Sequence, residues 1–365
     1  MKKVGTFRKN MLNEIKKIKE ENIMKKSVAS KMLAFLAIFA FVFTLVLTGC
    51  SSTESKKETQ KEGTAKQEAK ADKKQYTIAF SLKTVTNDDF QKAIADSIQK
   101  SVEASGNKFL LVTAGEQTAV ATQVNQIEDL IMKKVDAIIL NPMDSKAVIP
   151  ALKKAKEANI PVVLVDTPVD KGNEDLYICY IGTDNFNAGV EAGKRMVKEL
   201  NGQGNVLIVR GANGNAAGDK RVDGFKKGLE GSQIKIVGEE PGDWSNDKAM
   251  SVTQNMLQAN SDVQGLFSAS DVMLDGILQA LKDKKKTGLT IMSVDGSKKA
   301  VDLIKTGEIT GTMAQFPGKM GTMAVDTLLK VLDGSLDPSK VQKTIDSGTM
   351  VYDKTNLDEA YKWAF

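Results

Sequence analysis

Three patterns of apolar and polar positions follow one another along this chain. Residues 32–47 are apolar at every position except Thr44, a run of about 16. Residues 51–75 are almost all Lys, Glu, Thr, Gln, Ser or Ala, with no apolar periodicity. From residue 76 onward, short β-rich apolar runs alternate with amphipathic stretches whose apolar residues recur every three or four positions. The first run falls short of the roughly 20 residues that a spanning helix needs and matches the apolar segment of a secretory signal. The second cannot bury enough surface to offset the entropy of ordering, which predicts a flexible tether. Only the third can build a core.

The periods within the third pattern set the expected elements. Strands are expected at 76–80, 109–113, 137–140, 161–165 and 177–181, with helices at 90–104, 119–133 and 145–157 between them. A helix at 188–200 is followed by Gly202 and Gly204, and the alternation then restarts. The second set has strands at 206–209, 234–237, 263–267, 290–294 and 309–313, and helices at 220–229, 247–259, 271–284 and 297–305. Uninterrupted alternation of strand and helix predicts parallel sheets covered by helices on both faces. The fold class is therefore α/β, with two doubly wound lobes.

Charge and rare residues narrow the chemistry. The chain has a formal net charge of +5, but residues 76–365 keep only 34 of the 51 basic side chains against 38 of the 46 acidic ones. The folded part carries no basic footprint for nucleic acid. There is no histidine, and the two cysteines are Cys50 and Cys179. That removes histidine-based triads and histidine metal ligands, so neither a metal nor a cofactor is expected. Cys179 lies in the apolar run 176–181 and is expected to be a buried thiol.

In open parallel α/β sheets the ligand lies outside the carboxyl ends of the strands. The candidates are therefore residues 84–90, 115–116, 141–144 and 166–167 in the first lobe. In the second they are 210–221, 243–244, 268–271, 295–296 and 315–316. No GxGxxG or GxxxxGK[ST] occurs between a strand and a helix, which argues against dinucleotides and NTPases. The turn at 211–214 could hold an anion at a helix start or simply reverse the backbone.

Carboxylates, amides and a guanidinium framed by Phe90 and Trp244 suit a polyol. An ionised Asp accepts from neighbouring hydroxyls while Arg or Asn donates to others, and a ring covers the apolar C–H face of a sugar. Asp88 and Asp271 could instead be helix N-caps, and Trp244 could be a core anchor.

The step from Leu47 through Thr48 and Gly49 to Cys50, after Lys25, Lys26, Lys31 and the apolar run, resembles a bacterial lipoprotein signal. It implies residues 1–50 as signal peptide, with 1–23 an upstream extension before Met24, Cys50 as the lipidated residue, and 51–75 as tether. An uncleaved anchor helix would hold the same domain at the same membrane face.

Motifs in the folded part resemble the ribose- and galactose-binding periplasmic-type proteins, solute-binding subunits of ABC importers. They are Asn87 to Phe90 (N-x-x-F), Asn141-Pro142-Met143-Asp144-Ser145, Ile160-Pro161-Val162, Gly182-Thr183-Asp184-Asn185, Arg221-Val222-Asp223-Gly224-Phe225, Val294-Asp295-Gly296 and Ala314-Gln315-Phe316-Pro317. The resemblance implies two lobes, residues 76–183 with 316–347 and residues 184–315 with 348–365, joined by three short crossings near 182–185, 315–317 and 346–348. It implies that Asn87, Asp166, Arg221, Asp295 and Gln315 hydrogen-bond the ligand and that Phe90 and Trp244 sandwich it. This chain has Asp89, Thr167 and Ser270 where ribose binders carry Phe, Arg and Asn. Those exchanges predict a more acidic pocket, for a pyranose, a cyclitol or an amino derivative, with an ammonium between Asp89 and Asp166.

The expected protein is a monomeric, non-enzymatic binder, lipid-anchored at the outer membrane face of a Gram-positive bacterium and partnered by an ABC permease. The alternatives are a sensory binder for a sugar-like, nucleoside or autoinducer-type ligand, and a hydrolase using paired carboxylates. A DNA-binding regulator of this fold would carry a basic helix-turn-helix where this chain carries its signal and tether.

Overall fold

The computed structural model describes residues 74–365, so the signal, Cys50 and nearly all of the tether lie outside the described residues. Strands β1 (Thr77–Leu82), β2 (Lys108–Thr113), β3 (Ala137–Leu140), β4 (Val162–Val165), β5 (Tyr180–Gly182) and β11 (Thr344–Asp346) form one sheet. Its order is β2-β1-β3-β4-β5-β11 and every pairing is parallel. Strands β6 (Gln203–Arg210), β7 (Gln233–Pro241), β8 (Gly265–Ser268), β9 (Thr290–Asp295), β10 (Gly311–Ala314) and β12 (Met350–Tyr352) form the second, in the order β7-β6-β8-β9-β10-β12. Only β12 runs antiparallel to its neighbour. The first five strands of each sheet share one order, so each lobe has the same switch point, between β1 and β3 and between β6 and β8.

Helices cover both faces, as continuous burial along β1, β3, β4, β8 and β10 requires. On the first sheet, α1 (Asp89–Ala104) and α9 (Pro317–Leu332) bury Ile94, Ile98, Met320 and Leu328 on one side, and α2 (Val120–Met132) and α3 (Ile149–Glu157) bury Ile127, Leu130 and Leu152 on the other. On the second, α4 (Asn185–Glu199) and α5 (Ala216–Leu229) pack opposite α6 (Asn246–Ala259), α7 (Leu274–Asp283) and α8 (Lys298–Thr306). Each fully buried Ile or Leu contributes about 1.5–3 kcal/mol. The last helix is α10 (Leu357–Trp363). Cys179 is a free, buried thiol whose pKa burial pushes up to about 12, so it packs as a small apolar side chain.

Differences from the expected elements have local causes. Helix α3 starts at Ile149 rather than 145, because the backbone and hydroxyl of Ser145 are engaged elsewhere and Pro150 fits only a first turn. Helix α5 starts a turn early because the Asn215 side chain caps it, accepting from Gly218 N. A 3-10 turn over Glu174–Leu176 trims β5 to three residues. Helices α9 and α10 and strands β11 and β12 lie beyond the last expected element.

The chain passes between the sheets three times: from β5 to α4, from β10 to α9, and from β11 to β12. The crossings are tied to one another. Thr183 Oγ1 donates to Gly348 O at 3.3 Å, Lys319 Nζ to Ser347 O at 2.8 Å, and Thr349 Oγ1 to Ala314 O at 2.8 Å.

Candidate functional site

The carboxyl ends of both sheets face each other across a narrow cavity. Its walls come from both lobes: Lys83, Asp88, Phe90, Gln91, Asp166 and Thr167 on one side, Asn215, Arg221, Trp244, Ser270 and Asp295 on the other.

Each wall residue has a structural reason to be there. Asp88 caps α1, accepting from Gln91 N at 3.0 Å and from Gln117 Nε2 at 2.9 Å. This aims the first turn, with Phe90 and Gln91, inward. Gln91 and Asn141 form a buried amide pair, Asn141 Nδ2 donating to Gln91 Oε1 at 2.7 Å. Both amides donate to Asp166 Oδ2, at 3.3 and 2.9 Å, and fix that carboxylate.

In the second lobe, Arg221 is held by three bonds. Its Nε donates to Asn185 Oδ1 at 2.7 Å, and its Nη1 donates to Ala269 O at 2.7 Å and Asp295 Oδ1 at 3.3 Å. Asp295 also accepts from Ser270 Oγ at 2.5 Å, Asp271 N at 3.1 Å and Gln315 Nε2 at 2.7 Å. Burial pushes the Asp295 carboxyl up to about 7, against Arg221, which pulls it down. Burial also raises Asp271, which accepts from Ser297 and Thr312. Asp271 therefore supports the strand end rather than capping a helix; the cap is Ser270.

Close helix packing sets the position of Arg221. A Cβ on Gly189 would collide with Arg221 O, and one on Gly224 with Phe186 O, so α4 and α5 approach backbone to backbone. The Trp244 ring lies against Gly211, where any side chain would overlap its indole. Among the described residues, five of the nine non-glycine positions with positive φ are at or beside the cleft: Asn87, Asp166, Asp243, Trp244 and Asp295. The other four, Lys134, Asn159, Asn201 and Lys285, follow helix ends, where such a conformation is ordinary. Backbone strain thus concentrates where side chains must be aimed.

The lobes also touch directly at the rim. Ser145 N donates to Gly214 O at 3.0 Å, Ala216 N to Ser145 Oγ at 3.2 Å, and Asn215 Nδ2 to Thr167 Oγ1 at 3.3 Å. The turn at 211–214 is thus a backbone reversal that backs Trp244 and meets the other lobe.

Of the residues singled out from sequence, Phe90, Asp166, Arg221, Trp244, Ser270 and Asp295 line one cavity. Gln315 sits behind it, bonded to Asp295. Asn87 and Asp89 are exposed. Asn87 turns at φ 55° into a neighbouring groove, and Asp89 opens α1 on its outer face. Asp89 therefore brings no second carboxylate to the cavity. Lys83 and Gln91 line it unforeseen. The signal for Lys83 was a single lysine in Leu82-Lys83-Thr84 at the end of a strand that runs two residues beyond its expected limit.

A cleft between two matched α/β lobes, walled by carboxylates, amides, Arg221 and two aromatic rings, defines a binder of small polar molecules. Residues 78–336 match the periplasmic binding protein domain. The ribose import binding protein of Haemophilus influenzae is 32% identical over 73% of this chain and 89% of its own length. That of Bacillus subtilis is 29% identical over 89% and 97%. An ABC transporter solute-binding protein from Agrobacterium vitis with bound D-fucose superposes with a TM-score of 0.75 at 33% identity, covering 79% of this chain and all of its own. The chain belongs to the periplasmic binding protein family, among its sugar-binding, ABC transporter-associated members, and has that family's type I fold. It is a binding protein and not an enzyme.

Proposed function

We propose that the chain captures a monosaccharide-sized sugar or related polyol between its lobes, closes on it, and presents it to an ABC permease. One observation carries this reading: the cavity takes its walls from the same switch point of both lobes. A ligand held between Asp166 and Phe90 on one side and Arg221 and Trp244 on the other stabilises the closed arrangement over any open one. The three crossings provide the hinge, and a permease reads occupancy as shape. Relatives that import ribose and a structure holding D-fucose support a sugar as the ligand class.

The run at 32–47 followed by Cys50 supports a lipid anchor on the outer face of a single-membrane bacterium, with a monomer reaching its permease on the tether. Replacement of Cys50 by Ala releases the protein unlipidated into the medium; a variant that stays membrane-bound removes the anchor. Isothermal titration against pentoses, hexoses, inositols and their acid and amino derivatives, with small-angle scattering on the tightest, tests capture and closure together. Saturable binding with a fall in radius of gyration is expected. Absence of binding across the panel overturns the reading.

A further inference from the structure

Lys83 is the most unusual group in the cleft. It follows β1, is only 8% exposed and lines the cavity. Its ammonium makes no hydrogen bond or ion pair with any described residue and lies 5.0 Å from the centre of the Trp244 ring, a contact that spans the two lobes. Arg221 Cζ lies 6.0 Å from the same ring. Arg221 uses Nε and Nη1 on protein acceptors, and Nη2 has no partner among the described residues. The Trp244 side of the cavity therefore presents two cations with unpaired donors.

Three carboxylates share the cavity with these two cations, but their oxygens are mostly engaged by other donors. Asp88 is occupied by Gln91 N and Gln117, and Asp295 by four donors, including Arg221 itself. Asp166 accepts two amides on Oδ2, which leaves Oδ1 as the one carboxylate oxygen at the cavity with no donor among the described residues. A buried ammonium has three donors and no acceptor, and leaving it unpaired is costly. Hydroxyls bring a donor with each oxygen. A carboxylate brings acceptors alone and pairs with lysine and arginine through charge-assisted bonds.

Resting on the sugar-binding reading, we propose that the ligand is a sugar acid, a monosaccharide-sized polyol whose carboxylate sits against Lys83 and Arg221 over the Trp244 ring. Its hydroxyls donate to Asp166 Oδ1, and its apolar face meets Phe90. Lys83 is then the residue that selects the acid over the neutral sugar and excludes amino sugars, whose ammonium would meet Lys83 at close range.

The test is titration of the full chain with matched sets: D-galacturonate, D-galactose and D-galactosamine; D-glucuronate, D-glucose and D-glucosamine; D-ribonate and D-ribose. In at least one set the acid binds at least tenfold tighter than its neutral parent. Lys83→Met keeps the stem, removes the charge and lowers acid affinity at least tenfold more than it lowers that of the neutral parent. Lys83→Arg retains the preference for the acid. Unfolding curves of both variants establish that the fold is intact. A neutral or amino member that binds tightest in every set showing binding overturns the ligand class and leaves sugar capture standing. Failure of every member to bind removes both.

Discussion

The ring of Phe365 stands edge-on to that of Phe90, with 5.5 Å between centroids and 68° between planes. The two come from opposite lobes. Phe365 O accepts from Lys298 N at 3.0 Å, which anchors its backbone to α8 of the second lobe, while its ring packs on the core of the first. Phe365 thus supports a wall residue of the cavity and links the lobes beside the hinge. An edge-to-face pair is worth about 0.5–1.5 kcal/mol. Phe365→Ala should lower ligand affinity about two- to tenfold and raise the open fraction seen by small-angle scattering. Unchanged values of both would make the contact incidental.

The contact between α4 and α5 should be intolerant of a single methyl group. Gly224→Ala places a Cβ against Phe186 O in a backbone contact that cannot yield without moving α5 and Arg221 with it. A cost of about 1–3 kcal/mol in stability is expected, together with weaker ligand binding. Gly318→Ala in α9, where nothing lies within 4 Å of the added atom, should instead stabilise by about 0.4–1 kcal/mol. Denaturant midpoints of the two variants compare these outcomes within one protein.

Asp295 makes both stability and binding depend on pH. Burial raises its pKa to about 7 in the folded protein, while an unfolded aspartate titrates near about 3.9. Between those values the folded state holds a proton that the unfolded chain has released. The contribution to stability is therefore complete below about pH 4 and is lost as pH rises through about 7. Binding runs the other way, because the ionised form holds Arg221 in place against the ligand. Affinity should fall as pH drops from 8 to 6, and Asp295→Asn should bind weakly with a flatter profile. The chain contains no histidine that could imitate this titration.

Much of the cleft was legible because two rules compound. Strand periodicity located the carboxyl ends and parallel topology placed ligands there, and the motif resemblance then picked Asp166, Arg221, Trp244 and Asp295 out of those stretches. The turn before α1 was not legible. Whether Asn87, Asp88 or Asp89 faces inward depends on a φ of 55° at Asn87 and on capping by Asp88, neither of which has a period. Gln91 reads as a solvent-facing helical residue, and only its pairing with Asn141, 50 positions away, reveals a buried role. The second half of the fold ended early in the sequence pattern because β11 and β12 have three residues each, too few to alternate.

That turn yields the sharpest contrast among single substitutions. Gln91 is 1% exposed and bridges Asn141 to Asp166, so Gln91→Ala takes one partner each from the buried Asn141 amide and the Asp166 carboxylate, which keep only their bond to each other. Each such loss costs about 1–3 kcal/mol, and Asp166 also loses its fixed position, so affinity should fall by more than tenfold. Asn87 and Asp89 are exposed and outside the cavity, so Asn87→Ala and Asp89→Ala should keep affinity within about threefold, consistent with surface substitutions away from a site. Titration of the three variants with one ligand decides the matter. A loss at Asp89 equal to that at Gln91 would mean that the first turn of α1 rotates on binding and delivers the outer carboxylate to the ligand.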